Sequence, residues 1–332
     1  MKIVKLILLG LVCLSCSSQA QKINGVSFVA SSEAINKEHI EPVKKVSANY
    51  VALMPFGFIR DISSPKVNYN AKWQWFGETN DGLKQYAKEL KKESFKVMVK
   101  PQIWVSRGIY TGKIEMTSEE DWRTLEKSYE KFILGFAQTA KDINAEIFCI
   151  GTELEKFVEK RPAFWQELIQ KIRKVYTGKL TYAANWDEFK RTPFWKDLDF
   201  IGIDAYFPLS KKHSPSVEEF EEGWKKHKQE IVRVREEVNK PVLFTEYGYR
   251  SVHFTGKEPW DSNRVNGQVN LENQKNALQA IYNQFWKEDW FAGGFLWKWF
   301  INYHEVGGVD NNRFTPQNKP AEKIIKQNYE NK

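Results

Sequence analysis

Cysteine is scarce in this sequence. There are three in 332 residues, and two of them, Cys13 and Cys16, fall within the first twenty. Cys149 is then alone in the remainder, which excludes an internal disulfide there. Its neighbours Ile147, Phe148 and Ile150 are apolar, so a buried, inert thiol is expected. Histidine is sparse too. His39, His213, His227, His253 and His304 show neither metal-ligand spacing nor an HExxH pattern, so no metal site or cofactor is expected. The glycine-rich GxGxxG loop is also missing. Val29-Ala30-Ser31-Ser32 stands where it would follow the first strand, which argues against a dinucleotide-binding fold. Beyond the N-terminus no apolar run is long enough to span a bilayer, and no low-complexity linker divides the chain.

Residues 1–20 read as a targeting segment. Lys2 and Lys5 precede the apolar stretch Ile3–Leu14, which is short for a membrane span. Two endings compete. Leu14-Ser15-Cys16 followed by Ser17-Ser18 reads as a lipobox with Cys16 lipidated, although Cys13 stands where leucine is usual. Ser18-Gln19-Ala20 before Gln21 reads as an ordinary cleavage site. The lipoprotein reading is preferred. Either ending exports the protein to the periplasm, the cell surface or the medium, with a lipid anchor as its only membrane contact. The formal net charge is +8, or +6 without Lys2 and Lys5. The basic residues are interleaved with glutamates in segments such as Lys84–Lys92 and Lys225–Glu237. Those are solvated helix faces, and nucleic acid is not an expected partner. The chain is expected to act as a monomer.

Residues 21–332 alternate short apolar runs with amphipathic segments, the signature of βα units around a parallel sheet. Eight runs are expected to be strands. They are Val26–Ala30, Tyr50–Pro55, Phe95–Lys100 continuing to Val105, Glu146–Ile150, Leu180–Ala184, Phe200–Asp204, Val242–Thr245 and Gly294–Trp297. Helices are expected over Leu83–Glu93, from the Ser118 cap through Lys141, and over Pro162–Tyr176, Ser216–Val238 and Leu271–Trp286, with only a short one between Trp186 and Leu198. Eight such units without a linker favour an α/β fold, a (β/α)8 TIM barrel forming a single catalytic domain.

Catalytic groups of such barrels sit at the C-terminal ends of the strands. The fourth strand ends Ile150-Gly151-Thr152-Glu153, and the seventh ends Phe244-Thr245-Glu246-Tyr247-Gly248. Strands half-way round a barrel face each other, so Glu153 and Glu246 could flank a glycosidic bond, one attacking the anomeric carbon and the other protonating the leaving oxygen. The acid would need a raised pKa, from burial or from its partner's charge. Glu155 competes with Glu153, but it lies deeper in the loop, where solvent or a local ion pair is the simpler fate. Lys100 and Gln102, ending the third strand, could donate to sugar hydroxyls. The composition is rich in aromatics, with 13 Trp, 13 Tyr and 22 Phe. Trp73 and Trp75, in the long loop after the second strand, could form a distal stacking subsite, and Trp104 and Trp186 are weaker candidates for the same role.

These strand ends resemble those of clan A glycoside hydrolases, whose acid/base follows strand four and whose nucleophile follows strand seven. Within the clan the sequence is similar to glycoside hydrolase family 113, which contains β-1,4-mannanases. The matching stretches are Ile150–Leu154, Phe200–Tyr206, Phe244–Tyr249, Phe295–Trp299 and the tail Phe314–Glu322. The resemblance implies Glu153 as acid/base and Glu246 as nucleophile. It also implies that Tyr206 hydrogen-bonds the nucleophile and that Trp297 floors the sugar being cleaved. Thr152 stands where most clan A families carry the asparagine that binds the substrate 2-hydroxyl, and Asn185 is a candidate replacement. The implied activity is retaining hydrolysis of β-1,4-mannosidic bonds in mannan or glucomannan. Its rivals are another clan A activity, such as an exo-β-mannosidase or a β-glucanase, and a non-catalytic carbohydrate-binding surface lipoprotein.

Overall fold

The computed structural model describes residues 21–261 and 267–330. Among them are ten strands: β1 (Ile23–Phe28), β2 (Tyr50–Leu53), β3 (Phe56–Ile59), β4 (Lys96–Val99), β5 (Gln102–Val105), β6 (Ile147–Thr152), β7 (Lys179–Asn185), β8 (Ile201–Asp204), β9 (Val242–Tyr247) and β10 (Phe291–Trp299). Eight of these close a parallel barrel in the order β1-β2-β4-β6-β7-β8-β9-β10, with β10 pairing back onto β1. This is the (β/α)8 fold expected from the sequence. Apolar runs such as Val97-Met98-Val99 and Phe148-Cys149-Ile150 form strands because both their faces are covered. One small cluster, Ile23, Ala52, Met98, Ile147, Leu243 and Phe295, takes one side chain from each of six strands and is separate from the larger core between strands and helices.

The helices are α1 (Lys37–Lys45), α2 (Asn80–Lys92), α3 (Glu119–Asp142), α4 (Glu155–Lys160), α5 (Pro162–Val175), α6 (Val217–Val238), α7 (Leu271–Phe285) and α8 (Pro320–Glu330). Ser118 caps α3 by accepting from Asp121 N at 3.1 Å, and Ser216 with Glu219 forms a capping box on α6. Three helices escape the sequence pattern. α1 carries Pro42 in its interior, α4 is six residues long, and α8 lies beyond the last strand. α2 starts earlier than expected, at Asn80, because Thr79 is its cap.

The second and third expected strands also need correcting. The second ends at Leu53, and a further strand, β3, follows beyond Pro55; the third is two strands, β4 and β5. β2 pairs with β4, and β3 pairs with β5 at the same offset, so the chains run side by side past the barrel rim. That offset sets Pro55 opposite Pro101. Neither has an N–H for the ladder, which therefore breaks at this rung. Lys100 N to Leu53 O and Gln102 N to Pro55 O, both 2.9 Å, carry the pairing across the break. The result is a two-stranded wall standing above the C-terminal mouth.

Candidate active site at the C-terminal mouth

Glu246 lies near the end of β9, and Asp204 ends β8. A register shift after Ile203 places their Cα atoms opposite each other, with Ala205 N donating to Glu246 O at 2.7 Å. Two buried carboxylates on adjacent strands would repel. The cation between them directly follows β4: Lys100 Nζ donates to Asp204 Oδ1 and Oδ2 at 3.0 and 3.1 Å and also to Glu246 Oε1. Lys100 is fully buried. Burial alone would lower its pKa, but the charges of Asp204 and Glu246 outweigh that and hold it above the ordinary lysine value. Gln102 Nε2 donates to Glu246 Oε1 at 2.9 Å, and the Tyr206 hydroxyl donates to Oε2 at 2.8 Å. Glu246 thus receives three donors, from just after β4, from β5 and from just after β8. Thr245 Oγ1 completes Asp204 at 2.7 Å.

Glu153 follows β6 with its backbone in the left-handed region, φ 50°. That conformation is unfavourable for a residue with a Cβ and persists only where its surroundings fix it. Here Glu153 N donates to Ala183 O at 2.8 Å, and Glu153 O accepts from Thr111 Oγ1 at 3.0 Å. The next amide, Leu154 N, donates to the Tyr182 hydroxyl at 2.7 Å. Tyr182 in turn donates to Glu188 Oε1 at 2.7 Å, while Glu188 Oε2 accepts from Asn185 N at 2.9 Å. Burial pushes the Glu153 carboxyl well above the usual carboxylate range, and the negative charges of Asp204 and Glu246 push it the same way. Burial likewise raises Glu188, to about 8. Glu246 is therefore held by three donors, and Glu153 is pushed toward keeping its proton, an arrangement suited to acid-assisted nucleophilic displacement.

The sequence matches the model of Glycoside Hydrolase Family 113 over residues 29–319. The chain belongs to this family. It is a glycoside hydrolase of clan A. The family 113 β-mannanase of Alicyclobacillus acidocaldarius, solved in complex with ManMIm, is 25% identical, covers 93% of this chain and 97% of its own, and superposes with a TM-score of 0.81. A second structure, a complex of a family 113 β-1,4-mannanase, is 22% identical, with 94% and 100% covered and a TM-score of 0.81. The β-glucuronidase of Ruminococcus gnavus shares the fold at 16% identity and a TM-score of 0.64, with 94% of this chain and half of that one covered. No curated protein sequence matches the chain.

Within this family 113 barrel, five of the residues expected at the site lie together. Glu153, Glu246, Tyr206, Lys100 and Gln102 converge through the bonds and charges above. Trp297 is half-buried near the end of β10, and the bare Cα of Gly248 lies against it; a Cβ there would sit 2.4 Å from the Trp297 carbonyl oxygen. One expectation changes. Lys100 cannot donate to sugar hydroxyls, because its fully buried ammonium is taken up by Asp204 and Glu246. Asn185 ends β7 half-buried; its Nδ2 donates to Asp187 Oδ1 at 3.1 Å, and its Oδ1 accepts from Trp186 N at 2.9 Å.

Glu155 opens α4 and is ion-paired with Arg191, so the competitor to Glu153 is occupied elsewhere. Trp73 and Trp75 are exposed, by 63% and 56%. Cys149 is buried beside the site, its thiol raised to about 11 chiefly by burial. The lipidation candidate Cys16 lies outside the described residues. Among the described residues no group of three or more His, Cys, Asp and Glu side chains is placed to hold a metal ion.

Three site residues were missed from sequence. Asp204 carried a signal: a carboxylate ending the apolar run Phe200–Ile203 requires a cation, and Lys100 ends the run Val97–Val99 in the same way. Glu188 and Tyr110 carried none. Burial and then the charge of Glu153 raise the Tyr110 phenol far above its ordinary value.

Proposed function

We propose that this enzyme cleaves β-1,4-mannosidic bonds in mannan or glucomannan by double displacement with retention, Glu246 acting as nucleophile and Glu153 as acid/base. The observation that carries this reading is the contrast between the two glutamates. Glu246 is oriented by Lys100, Gln102 and Tyr206. Glu153 has its pKa raised by burial and by two neighbouring negative charges. In the first step Glu246 attacks the anomeric carbon while Glu153 gives its proton to the departing oxygen. In the second, Glu153 takes a proton from water, which attacks the glycosyl-enzyme and frees Glu246. The β-mannanase structures that superpose over nearly the whole chain favour mannan over other β-glycans. Export through residues 1–20, with Cys16 as the anchor, fits a polymeric substrate too large to enter the cell.

The test is a proton NMR time course on an aryl β-mannoside, with rates on β-mannan, glucomannan and β-glucan alongside. β-Mannose appears first, and the mannose-containing polymers are preferred. Initial release of α-mannose overturns retention, and faster cleavage of β-glucan overturns the substrate.

A further inference from the structure

The wall formed by β3 and β5 has two unlike faces. Gly57, Ile59, Ile103 and Val105 are buried beneath it. The other face carries Phe56 and Gln102 on one rung and Phe58 and Trp104 on the next outward rung, since side chains two apart share a face. The first rung is at the reaction centre, because Gln102 Nε2 donates to Glu246 Oε1. The second is about 6–7 Å further out, two residues along the strands.

There Trp104 is 49% exposed, and Trp73 sets its ring edge-on against Phe58 at a centroid distance of 4.6 Å. The loop carrying Trp73 is tied down. Phe58 and Asn68 exchange both backbone hydrogen bonds, at 2.7 and 2.9 Å. Gln74, nearly buried, accepts from Ala71 N and donates to Phe56 O at 3.0 Å. Large aromatic rings left in water on a fixed support, continuous with a reaction centre, mark a ligand surface.

We propose that Trp104, Phe58 and Trp73 form a sugar-binding subsite on the β3–β5 wall. It would hold a pyranose ring of the β-linked chain beyond the one contacted by Gln102 and Glu246. The occupant is a hexopyranose with its apolar C–H face on the indoles, whose π-faces carry the negative lobe of the ring quadrupole. Continuity with Gln102 is what selects a segment of the substrate over a protein partner. Trp75, which makes no ring contact among the described residues, is outside this subsite. The assignment rests on the proposed hydrolysis of β-mannosides.

The test compares Trp104→Ala, Trp73→Ala and Trp104→Phe in the full chain, reading kcat/KM on mannohexaose and on an aryl β-mannoside too short to reach the wall. For each alanine variant the ratio of the two falls by about tenfold, the worth of about 1.4 kcal/mol of lost contact. The phenylalanine variant recovers most of it, because a flat face remains. An unchanged ratio, or a phenylalanine variant no better than alanine, overturns the subsite. A wild-type enzyme inactive on both substrates instead defeats the mannoside reading, and the comparison is then made on the shortest and longest β-glycans it cleaves. Chain-length-independent kinetics together with dimerisation that Trp104→Ala abolishes would identify the wall as a contact between copies.

Discussion

Lys100 Nζ lies between Asp204 and Glu246, with donors to both carboxylates and no exposure to solvent. Asp204 and Glu246 lie in β8 and β9, and Lys100 directly follows β4. The lysine neutralises one negative charge of a pair that could not otherwise be buried together, and it fixes Glu246 Oε1. Replacing it by methionine keeps the length but leaves two facing carboxylates without a cation. Stability is expected to fall by about 3–5 kcal/mol, as when one member of a buried ion pair is removed. Urea denaturation measures this. A loss under about 1 kcal/mol would mean that Asp204 takes a proton and the cation is dispensable.

Tyr206 is a cleaner probe of Glu246. Its hydroxyl donates to Oε2 at 2.8 Å. Tyr206→Phe deletes that bond and little else. A hydrogen bond to a charged group is worth about 1.5–3 kcal/mol, so kcat/KM should drop roughly ten- to a hundredfold. Circular dichroism should show the fold intact. Full activity in the phenylalanine variant would mean that Lys100 and Gln102 suffice to orient the nucleophile.

The protonated state of Glu153 sets a pH dependence. The acid works only while it holds its proton, so activity is present below its raised pKa and is lost as pH rises through it. On an oligosaccharide, kcat/KM should show an alkaline limb above the usual carboxylate range. A dinitrophenyl glycoside needs no acid for its leaving group, so its kcat/KM should lack that limb. Identical profiles for the two substrates would assign the limb to another group.

Glu188 affects stability with a definite sign. Burial raises it to about 8, against about 4.3 in an unfolded chain. The folded protein then holds a proton that the unfolded chain releases. The group's contribution is complete below the lower value and is lost as pH rises through about 8. Glu188→Gln removes this titration. Urea midpoints of wild type should fall between pH 5 and pH 8.5 more than those of the variant, and parallel curves would count against a raised Glu188.

Gly248 is where the nucleophile strand meets Trp297. A Cβ there would be 2.4 Å from a backbone oxygen, which cannot swing aside as a side chain could. Gly248→Ala should cost about 1–3 kcal/mol of stability and lower activity by displacing Glu246 or Trp297. A thermal melt and a rate assay on the same preparation test both.

Much of this molecule was legible in its sequence. Apolar runs short enough to be strands and buried on both faces announced the barrel, and the barrel rule turned two strand ends into Glu153 and Glu246. Local chemistry also gave the Ser118 cap and the isolation of Cys149. What the sequence could not decide is what distant residues do to one another. Lys100 is 104 residues from Asp204 and 146 from Glu246. Only closure of the barrel turns that lysine from a sugar ligand into a buried counter-ion. The Tyr182–Glu188 link behind Glu153, the facing prolines where β3 and β5 leave the barrel ladder, and the packing of Trp73 against Phe58, the rung partner of Trp104, are of the same kind. Periodicity reports which side of an element is apolar, a property of neighbours in the chain. Charge pairing, pKa and ring contacts depend on distances through space, and those exist only once the eight strands have closed on one another.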